Sequence, residues 1–251
     1  MRLRNTLLDI IKELLSSSAS ACPLCGRPGF SWQPCSHCLR TWAELTHQKL
    51  VCEHCATFRM GATEPGLCRD CLQERPPFVL ARAVVPYEGP VRGALHFFKF
   101  AGKRELALPL GGLMVSLVRE VFPYQYFGAV VPVPLHQARE RERGFNQALL
   151  LAEVVARGLR LPLFPGALVR CRETPGQVTL SRAGRRSNLC GAFLAGESVS
   201  SLRGRTVLLV DDVYTTGATA GECTRTLLSA GVAAVYVVTL ASGVVSEEVE
   251  A

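Results

Sequence analysis

The chain has 251 residues, 48% of them hydrophobic, and its mean hydropathy is positive. This composition excludes an intrinsically disordered protein and allows a sizeable core. Lysine and arginine outnumber aspartate and glutamate by 28 to 21, which gives a formal charge of +7. Such a balance suits an anionic partner, whether a nucleic acid, a phosphorylated metabolite or a membrane surface, and charge alone does not choose among them.

The first segment, residues 1–19, combines basic residues with leucines, as a secretory signal does. Asp9, Lys12 and Glu13 interrupt its apolar run, and its leucines and isoleucines fall on one helical face. We therefore predict a short amphipathic helix packed on the protein, with binding to a membrane surface as the alternative.

Eight of the eleven cysteines form four C-x-x-C pairs within residues 20–75. The pairs are Cys22 and Cys25, Cys35 and Cys38, Cys52 and Cys55, and Cys68 and Cys71. Two such pairs can complete a tetrahedral shell of four thiolates around one metal, so four pairs predict two structural zinc ions in a double zinc ribbon. The ribbon has little core of its own and would depend on the metal for its fold.

Alternatives to zinc are disulfides or a redox C-x-x-C site. Disulfides are disfavoured without an export signal, and a redox motif normally occurs once, beside a βαβ unit. The pairs could combine sequentially or interleave. His37 and His54 lie inside two of the pairs, but full thiolate shells leave them surplus.

The segment QERPPFVL marks a boundary, because its two prolines cannot continue a helix or a strand. Apolar strands and helical patterns then alternate in the order AVVPVPL, NQALLLAEVVARGL, VLLVDDV, GECTRTLLSAG and AAVYVVTL. This alternation predicts an α/β domain over residues 78–245, with a mostly parallel sheet and helices on both faces, followed by an acidic tail at 246–251.

The uncharged C-terminal part of this domain raises the question of a membrane span. Glycine and hydroxyl residues break it, and AAVYVVTL is typical of a buried strand. We therefore predict no membrane span and a cytoplasmic protein.

The stretch HFFKFAGKR, residues 96–104, mixes aromatic and basic residues. Proteins that bind single strands stack bases on aromatic rings beside cations, so the stretch could form such a surface. Three phenylalanines this close are also typical of a buried core, and the sequence leaves both interpretations open.

The motif VLLVDDVYTTGAT, residues 207–219, ends a buried strand with two acids and continues into a Thr/Gly turn before a helix. Ligands of parallel sheets bind at the carboxyl ends of the strands, and N–H groups at a helix N-terminus suit a phosphate. The alternative is an ordinary strand, turn and helix that binds no ligand and has solvated acids. The motif closely resembles the phosphoribosyl-pyrophosphate (PRPP) motif of type I phosphoribosyltransferases.

The resemblance extends along most of the chain. CPLCG, YEGPVRGALHFFKFAGKRELA, VPVPLHQARERERGFNQALLLA and RCRETPGQVTLSRAGRRSNLCGAF occur in order before VLLVDDVYTTGAT. Together these segments resemble the ComF family, which combines an N-terminal zinc ribbon with a type I phosphoribosyltransferase-like domain and is associated with DNA uptake in natural competence.

The resemblance implies roles for individual residues. Asp211 and Asp212 would be the catalytic acids and would accept hydrogen bonds from the ribose hydroxyls. The 5′-phosphate would be held by Thr215, Thr216, Gly217, Ala218 and Thr219. Mg²⁺ would arrive bound to the PRPP oxygens, without a protein cage of its own.

Two further segments acquire roles from the resemblance. The diphosphate would meet Arg139, Arg143, Asn146 and Gln147, although a solvated, salt-bridged helix is the alternative for this segment. A flexible loop over the ligand would contribute Arg172, Gln177, Arg182, Arg186 and Asn188. The arginines between 170 and 186 could instead follow a nucleic-acid backbone.

Two functions remain open at this point. The first is a phosphoribosyltransferase that acts on an unidentified acceptor. The second is a PRPP-binding accessory protein for DNA uptake, which could bind single-stranded DNA and work with a competence helicase, as the family resemblance implies. Base salvage is less favoured, because the C-terminal stretch ASGVVSEEVEA offers no clear hood for an acceptor base. No nucleotide-binding glycine motif supports an ATPase or a dinucleotide enzyme.

Overall fold

A computed structural model of the protein describes residues 50–100, 102–172 and 189–246, with positions 22, 25, 27, 28, 35–38, 40 and 41. The predicted N-terminal helix, nearly all of the acidic tail and the loop residues Gln177, Arg182, Arg186 and Asn188 lie outside the described residues.

Strands and helices alternate through most of the described chain. The strands are β1 Leu50–Val51, β2 Phe58–Met60, β3 Leu80–Pro86, β4 Phe127–Pro132, β5 Leu168–Arg170, β6 Phe193–Ala195, β7 Thr206–Tyr214, β8 Ala234–Ser242 and β9 Val244–Ser246. The α-helices are α1 Arg69–Gln73, α2 Gly89–Phe100, α3 Ala107–Val121, α4 Gln137–Arg143, α5 Gln147–Leu159 and α6 Ala218–Ser229. Short 3-10 helices cover Arg104–Leu106, Tyr124–Tyr126 and Glu197–Leu202.

The central sheet has the strand order β3-β8-β7-β4, and all of its neighbouring strands run parallel. Its two middle strands, β7 and β8, are almost continuously apolar, as expected for strands that are covered on both faces. The predicted parallel sheet is confirmed. Strand β3 was not among the predicted strands, although its apolar run LARAVVP carries the same signal.

Two buried apolar layers cover the sheet. One contains side chains of α2, α3 and α5, and the other contains side chains of α6. Helices therefore lie on both faces, as predicted. Both layers also include cysteines from the N-terminal segment, so this segment packs against the same core as the sheet.

A second, small sheet ties the N-terminal segment to the end of the chain. Its order is β1-β2-β9, with β2 parallel to β9. Arg82 on β3 also donates hydrogen bonds to the carbonyl oxygens of Cys52 and Glu53, each at 3.1 Å. These links fix the second half of the cysteine-rich segment on the α/β domain.

Among the residues that the structure describes, no helix is both long and apolar enough to cross a bilayer. The uncharged C-terminal part is instead divided between the end of α6 and the strand β8.

Candidate functional site

The two adjacent acids lie in the last part of β7, at the carboxyl edge of the central sheet. Asp212 is only 5% exposed, and its Oδ2 lies 2.5 Å from Nζ of Lys99 on α2. Burial by itself raises the pKa of Asp212, but the Lys99 ammonium outweighs it and the pKa lies below its ordinary value. Asp212 is therefore the more acidic member of the pair.

Asp211 has the opposite character. Its Oδ1 accepts a hydrogen bond from the backbone N–H of Asp212 at 2.8 Å. Burial and the adjacent Asp212 charge raise the pKa of Asp211 well above its ordinary value. Two neighbouring carboxylates thus differ in proton affinity, and together they offer several oxygens to hydroxyl donors.

A cleft of about 280 Å³ opens beside these acids. Four cationic side chains from three elements line it, namely Lys99 of α2, Arg139 and Arg143 of α4, and Arg170 of β5. Thr215 and Thr219 also line the cleft, on the side of the turn that follows β7. Since the cations outnumber the two acids, the cleft suits an anionic ligand that also carries hydroxyl groups.

Helix α4 presents Arg139 and Arg143 to the cleft. Its N-terminus is capped by His136, whose Nδ1 accepts from the N–H of Ala138 at 3.3 Å. Gly144 ends the helix in the left-handed conformation, with φ of 78°. Arg143 donates to Oε1 of Gln147 and lies over the Phe100 ring, 5.1 Å from its centroid. These contacts hold the Arg143 guanidinium at the mouth of the cleft.

Asn146 lines the cleft, but its side chain is engaged with the fold. Its Oδ1 caps α5 by accepting from the N–H of Ala148 at 2.9 Å, and its Nδ2 donates to the carbonyl of Val133 at 3.1 Å. An Asn at this position is a strong helix N-cap. The observed contacts of Asn146 thus position α5 beside the cleft.

Residues 215–219, which we call the 215–219 turn, comprise the connection from β7 and the first two residues of α6. Thr215 is exposed, whereas Thr216 is buried and its Oγ1 accepts from the N–H of Ala218 at 3.5 Å. Gly217 has φ of 74°, which disfavours other residues. The first N–H groups of α6 therefore lie next to the cleft, where they can meet an anion.

The structure brings together most of the residues predicted for a ligand site. Asp211, Asp212, Arg139, Arg143, Asn146, Gln147, Thr215 and Thr219 line one cleft. Thr216 and Ala218 are buried in the turn. Of the predicted loop residues, the structure describes Arg172, which donates to the carbonyl of Cys190 at 2.5 Å.

Lys99 and His136 also line this cleft and were not among the residues predicted for the ligand site. A signal for Lys99 was present, because it is a single charged residue inside the apolar run ALHFFKF. A lysine buried in such a run normally pairs with an acid. The three phenylalanines around Lys99 differ in exposure: Phe98 is buried, whereas Phe97 and Phe100 are 58% and 63% exposed.

Eight cysteines form two tetrads, which we call the first and second cysteine clusters. The first contains Cys22, Cys25, Cys35 and Cys38, and the second contains Cys52, Cys55, Cys68 and Cys71. Within each cluster the sulfur atoms lie within 4.8 Å of one another. The pairs therefore combine sequentially and do not interleave.

The sulfur geometry fits zinc. Zn–S bonds of about 2.3 Å in a tetrahedron place sulfurs about 3.8 Å apart. The Sγ atoms of Cys22 and Cys38 are 3.8 Å apart, and those of Cys55 and Cys68 are 3.7 Å apart. In both clusters the backbone N–H of the third cysteine donates to the sulfur of the first. Each cluster could hold one zinc ion.

His54 has contacts other than those of a metal ligand. Its ring stacks on Phe78 at a centroid distance of 5.2 Å, and its Nε2 lies 3.0 Å from the carbonyl oxygen of Pro76. Neither tetrad includes a histidine among the described residues. This agrees with the prediction that the histidines are surplus.

We expect metal analysis of the purified protein to find about two zinc ions per chain, because two complete thiolate shells are present. The Cys171→Ser variant is the control, since Cys171 is exposed and lies in neither cluster, and it should keep both ions. Metal-free protein with four disulfides would contradict this prediction.

Comparisons with known proteins agree with this architecture. Residues 146–250 match the family model described as phosphoribosyl transferase domain. The DNA utilization protein YhgH of Escherichia coli K12 is 36% identical over 210 residues, which cover 82% of this chain and 88% of that protein.

Two competence proteins are also similar. Competence protein F of Haemophilus influenzae is 32% identical, with 74% of this chain and 82% of that protein covered. Competence protein ComFC of Bacillus subtilis is 32% identical, with 88% of this chain and 77% of that protein covered.

Proposed function

Because the chain belongs to the ComF family, we propose that it binds PRPP or a related phosphoribosyl ligand in the cleft and supports the uptake or utilisation of DNA. One observation carries the ligand assignment: the acid pair, the 215–219 turn and the cationic side chains border the same cleft. A phosphoribosyl ligand carries hydroxyl groups and two anionic ends, and this cleft offers acids for the hydroxyl groups and cations with a helix N-terminus for the anionic ends.

The proposed binding mode follows the chemistry of each group. Asp211 and Asp212 accept hydrogen bonds from the ribose hydroxyls, and the N–H groups of the 215–219 turn bind the 5′-phosphate. Arg139 and Arg143 meet the diphosphate. Mg²⁺ would enter with the diphosphate and supply charge neutralisation there.

Lys99 is central to this binding mode. Its ammonium lies against Asp212 and also lines the cleft, so it keeps Asp212 ionised and adds positive charge near the diphosphate. Lys99→Met is expected to weaken PRPP binding about tenfold or more, since a charge-assisted contact is worth about 1.5–3 kcal/mol. Calorimetry at constant Mg²⁺ measures the change, and unaltered affinity would remove Lys99 from the site.

The direct test of the proposed function is ligand-induced thermal stabilisation. Millimolar PRPP with Mg²⁺ should raise the unfolding midpoint in a concentration-dependent manner, because a ligand that binds only the native state stabilises it. Ribose 5-phosphate and pyrophosphate, tested separately, should stabilise less than the joined molecule. No shift with PRPP and Mg²⁺ would refute the ligand assignment.

Turnover is a separate question. The acid pair would also stabilise positive charge that develops on the ribose as pyrophosphate leaves, so a transferase is the alternative within the same site. Assays of pyrophosphate release across candidate acceptors distinguish the two. Binding without release favours the accessory role in DNA uptake.

A second candidate ligand is single-stranded DNA, which we propose on the basis of one surface beside the cleft. Phe97 and Phe100 are exposed on α2, His96 contacts both rings, and Arg143 lies over Phe100. Exposed rings among cations suit the stacking of bases. In the proposed DNA-uptake role, a competence helicase would be the protein partner.

We expect Phe100→Ala to weaken single-strand binding about tenfold, because stacking is worth about 1–3 kcal/mol per base. Tyr126→Ala is the matched control, since Tyr126 is 74% exposed but precedes β4, away from the carboxyl edge. Equal losses in the Phe100 and Tyr126 variants would argue against this surface.

Single-strand binding should also weaken steeply as the salt concentration rises, and exchange of Arg185 and Arg186 for Glu should reduce it for all sequences alike.

A further inference from the structure

Tyr214 lies between the 215–219 turn and the second cysteine cluster. It is the last residue of β7, but its side chain is only 4% exposed and belongs to the buried layer that contains all four cysteines of that cluster. Its ring meets Phe78 edge-on at a centroid distance of 6.2 Å, and Phe78 stacks on His54, which lies between Cys52 and Cys55 in the chain.

The Tyr214 hydroxyl lies directly against Gly217 of the 215–219 turn. A Cβ atom placed on Gly217 would lie 2.1 Å from the hydroxyl oxygen, so the oxygen fills the space where a side chain would stand. The turn therefore packs against the hydroxyl of Tyr214, the residue that directly precedes it. Consequently Gly217→Val would disrupt the turn itself, both by this clash and because the positive φ disfavours valine.

The same side chain is buried in the layer that contains the second cysteine cluster. Its hydroxyl lies against Gly217, and its ring packs toward the cluster through Phe78 and His54.

The backbone provides a second, independent connection. The N–H of Gly243 donates to the carbonyl of Tyr214 at 2.9 Å, and the carbonyl of Gly243 accepts from the N–H of Phe58 at 3.1 Å. Phe58 begins β2, which lies between the two cysteine pairs of the second cluster. The start of the turn is therefore tied to the metal-binding segment through both side-chain and main-chain contacts.

We infer that Tyr214 is a positioning residue that fixes the 215–219 turn on the second cysteine cluster, so that metal binding at the cluster and ligand binding at the turn stabilise each other. This inference rests on the proposed function in one respect, since it takes the turn to bind the 5′-phosphate. If the turn is already held in place, it can bind a ligand without the free-energy cost of ordering its N–H groups on binding. Coupling between two binding sites is reciprocal, so the ligand should also retain the metal.

The test compares Tyr214→Phe with Tyr236→Phe. Each variant loses one hydroxyl from an aromatic side chain, but Tyr236 packs on Phe122 and Phe127 in the other apolar layer. The measurements are zinc release to a chelator with and without PRPP and Mg²⁺, the affinity for PRPP, and amide hydrogen exchange in the zinc-loaded proteins.

In the wild-type protein and in Tyr236→Phe, PRPP should slow the release of one of two zinc ions. In Tyr214→Phe this protection should weaken, since the main-chain link through Gly243 remains, and PRPP should bind about fivefold more weakly, because the turn loses the hydroxyl that lies against Gly217. Both zinc ions should remain bound before the chelator is added. A general loss of stability would not remove the ligand dependence of zinc release, so this readout identifies a positioning role.

Failure of the wild-type protein to bind PRPP would refute the proposed function alone. The role of Tyr214 is then tested by amide exchange, which needs no ligand. Amide exchange across residues 215–219 should still be faster in zinc-loaded Tyr214→Phe than in wild type and Tyr236→Phe. Equal exchange in all three proteins would overturn the inference. If PRPP binds, unchanged protection of zinc in Tyr214→Phe would overturn it as well.

Discussion

Asparagine in place of both Asp211 and Asp212 is expected to reduce the affinity for PRPP by at least about a hundredfold, because hydrogen bonds to charged groups are worth about 1.5–3 kcal/mol each. Asparagine keeps the size of the side chain and one carbonyl oxygen, so the change removes charge with little change in volume. Thermal stabilisation by PRPP and Mg²⁺ measures the loss. A double variant that retains the wild-type shift would place the ribose elsewhere.

The single variants provide the control, because the two acids should affect stability in opposite ways. Asp212→Asn leaves Lys99 without its observed ion-pair partner and should cost about 2 kcal/mol, between the values for exposed and buried pairs. Asp211→Asn removes a carboxyl group whose ionisation burial and Asp212 both disfavour, so it should leave the stability unchanged or raise it near neutral pH. Equal destabilisation by both changes would contradict the opposite pKa shifts of the two acids.

The pH dependence has a defined sign for each acid. The pKa of Asp211 is raised in the folded protein, so its contribution to stability falls as pH rises from about 3.9, the ordinary value, to the raised pKa. The pKa of Asp212 is lowered, so its contribution is present above the ordinary value and is lost as pH falls through the lowered pKa. Asp211→Asn should therefore remove the fall in stability toward neutral pH, as urea unfolding at several pH values would measure.

Serine in place of Cys52 is expected to lower the unfolding midpoint of the whole α/β domain by about 10 °C or more, since zinc binding contributes directly to folding free energy. Cys52 lies in the same buried layer as Val207 and Val235 of the central sheet. Loss of metal at this cluster should therefore weaken the sheet together with the ribbon. The variant should also retain only one zinc ion.

Calorimetry and far-UV circular dichroism of Cys52→Ser distinguish joint from separate unfolding. Cys171→Ser is the control for the loss of a thiol outside the clusters and should keep the wild-type midpoint. Two separate transitions, with the sheet unfolding at the wild-type temperature, would show that the segment is an independent unit.

Several features of this protein were determined by the sequence alone. Four equally spaced cysteine pairs predicted two tetrads, because C-x-x-C brings two sulfurs together within one local turn. Strands of continuous apolar residues that alternate with helical periods predicted the parallel sheet, because each pattern depends only on local residue spacing. The position of Asp211, Asp212 and the 215–219 turn at a strand end followed from the same local order.

Other features were decided only by the tertiary structure, since they depend on contacts between residues far apart in the chain. Three examples are the pairing of Lys99 with Asp212, the burial of Phe98 between two exposed phenylalanines, and the packing of Tyr214 in one buried layer with the second cysteine cluster. The sequential combination of the cysteine pairs was undetermined for the same reason, because every pair has identical local spacing. A local pattern can specify which groups occur at a strand end, but packing decides which partner each group meets.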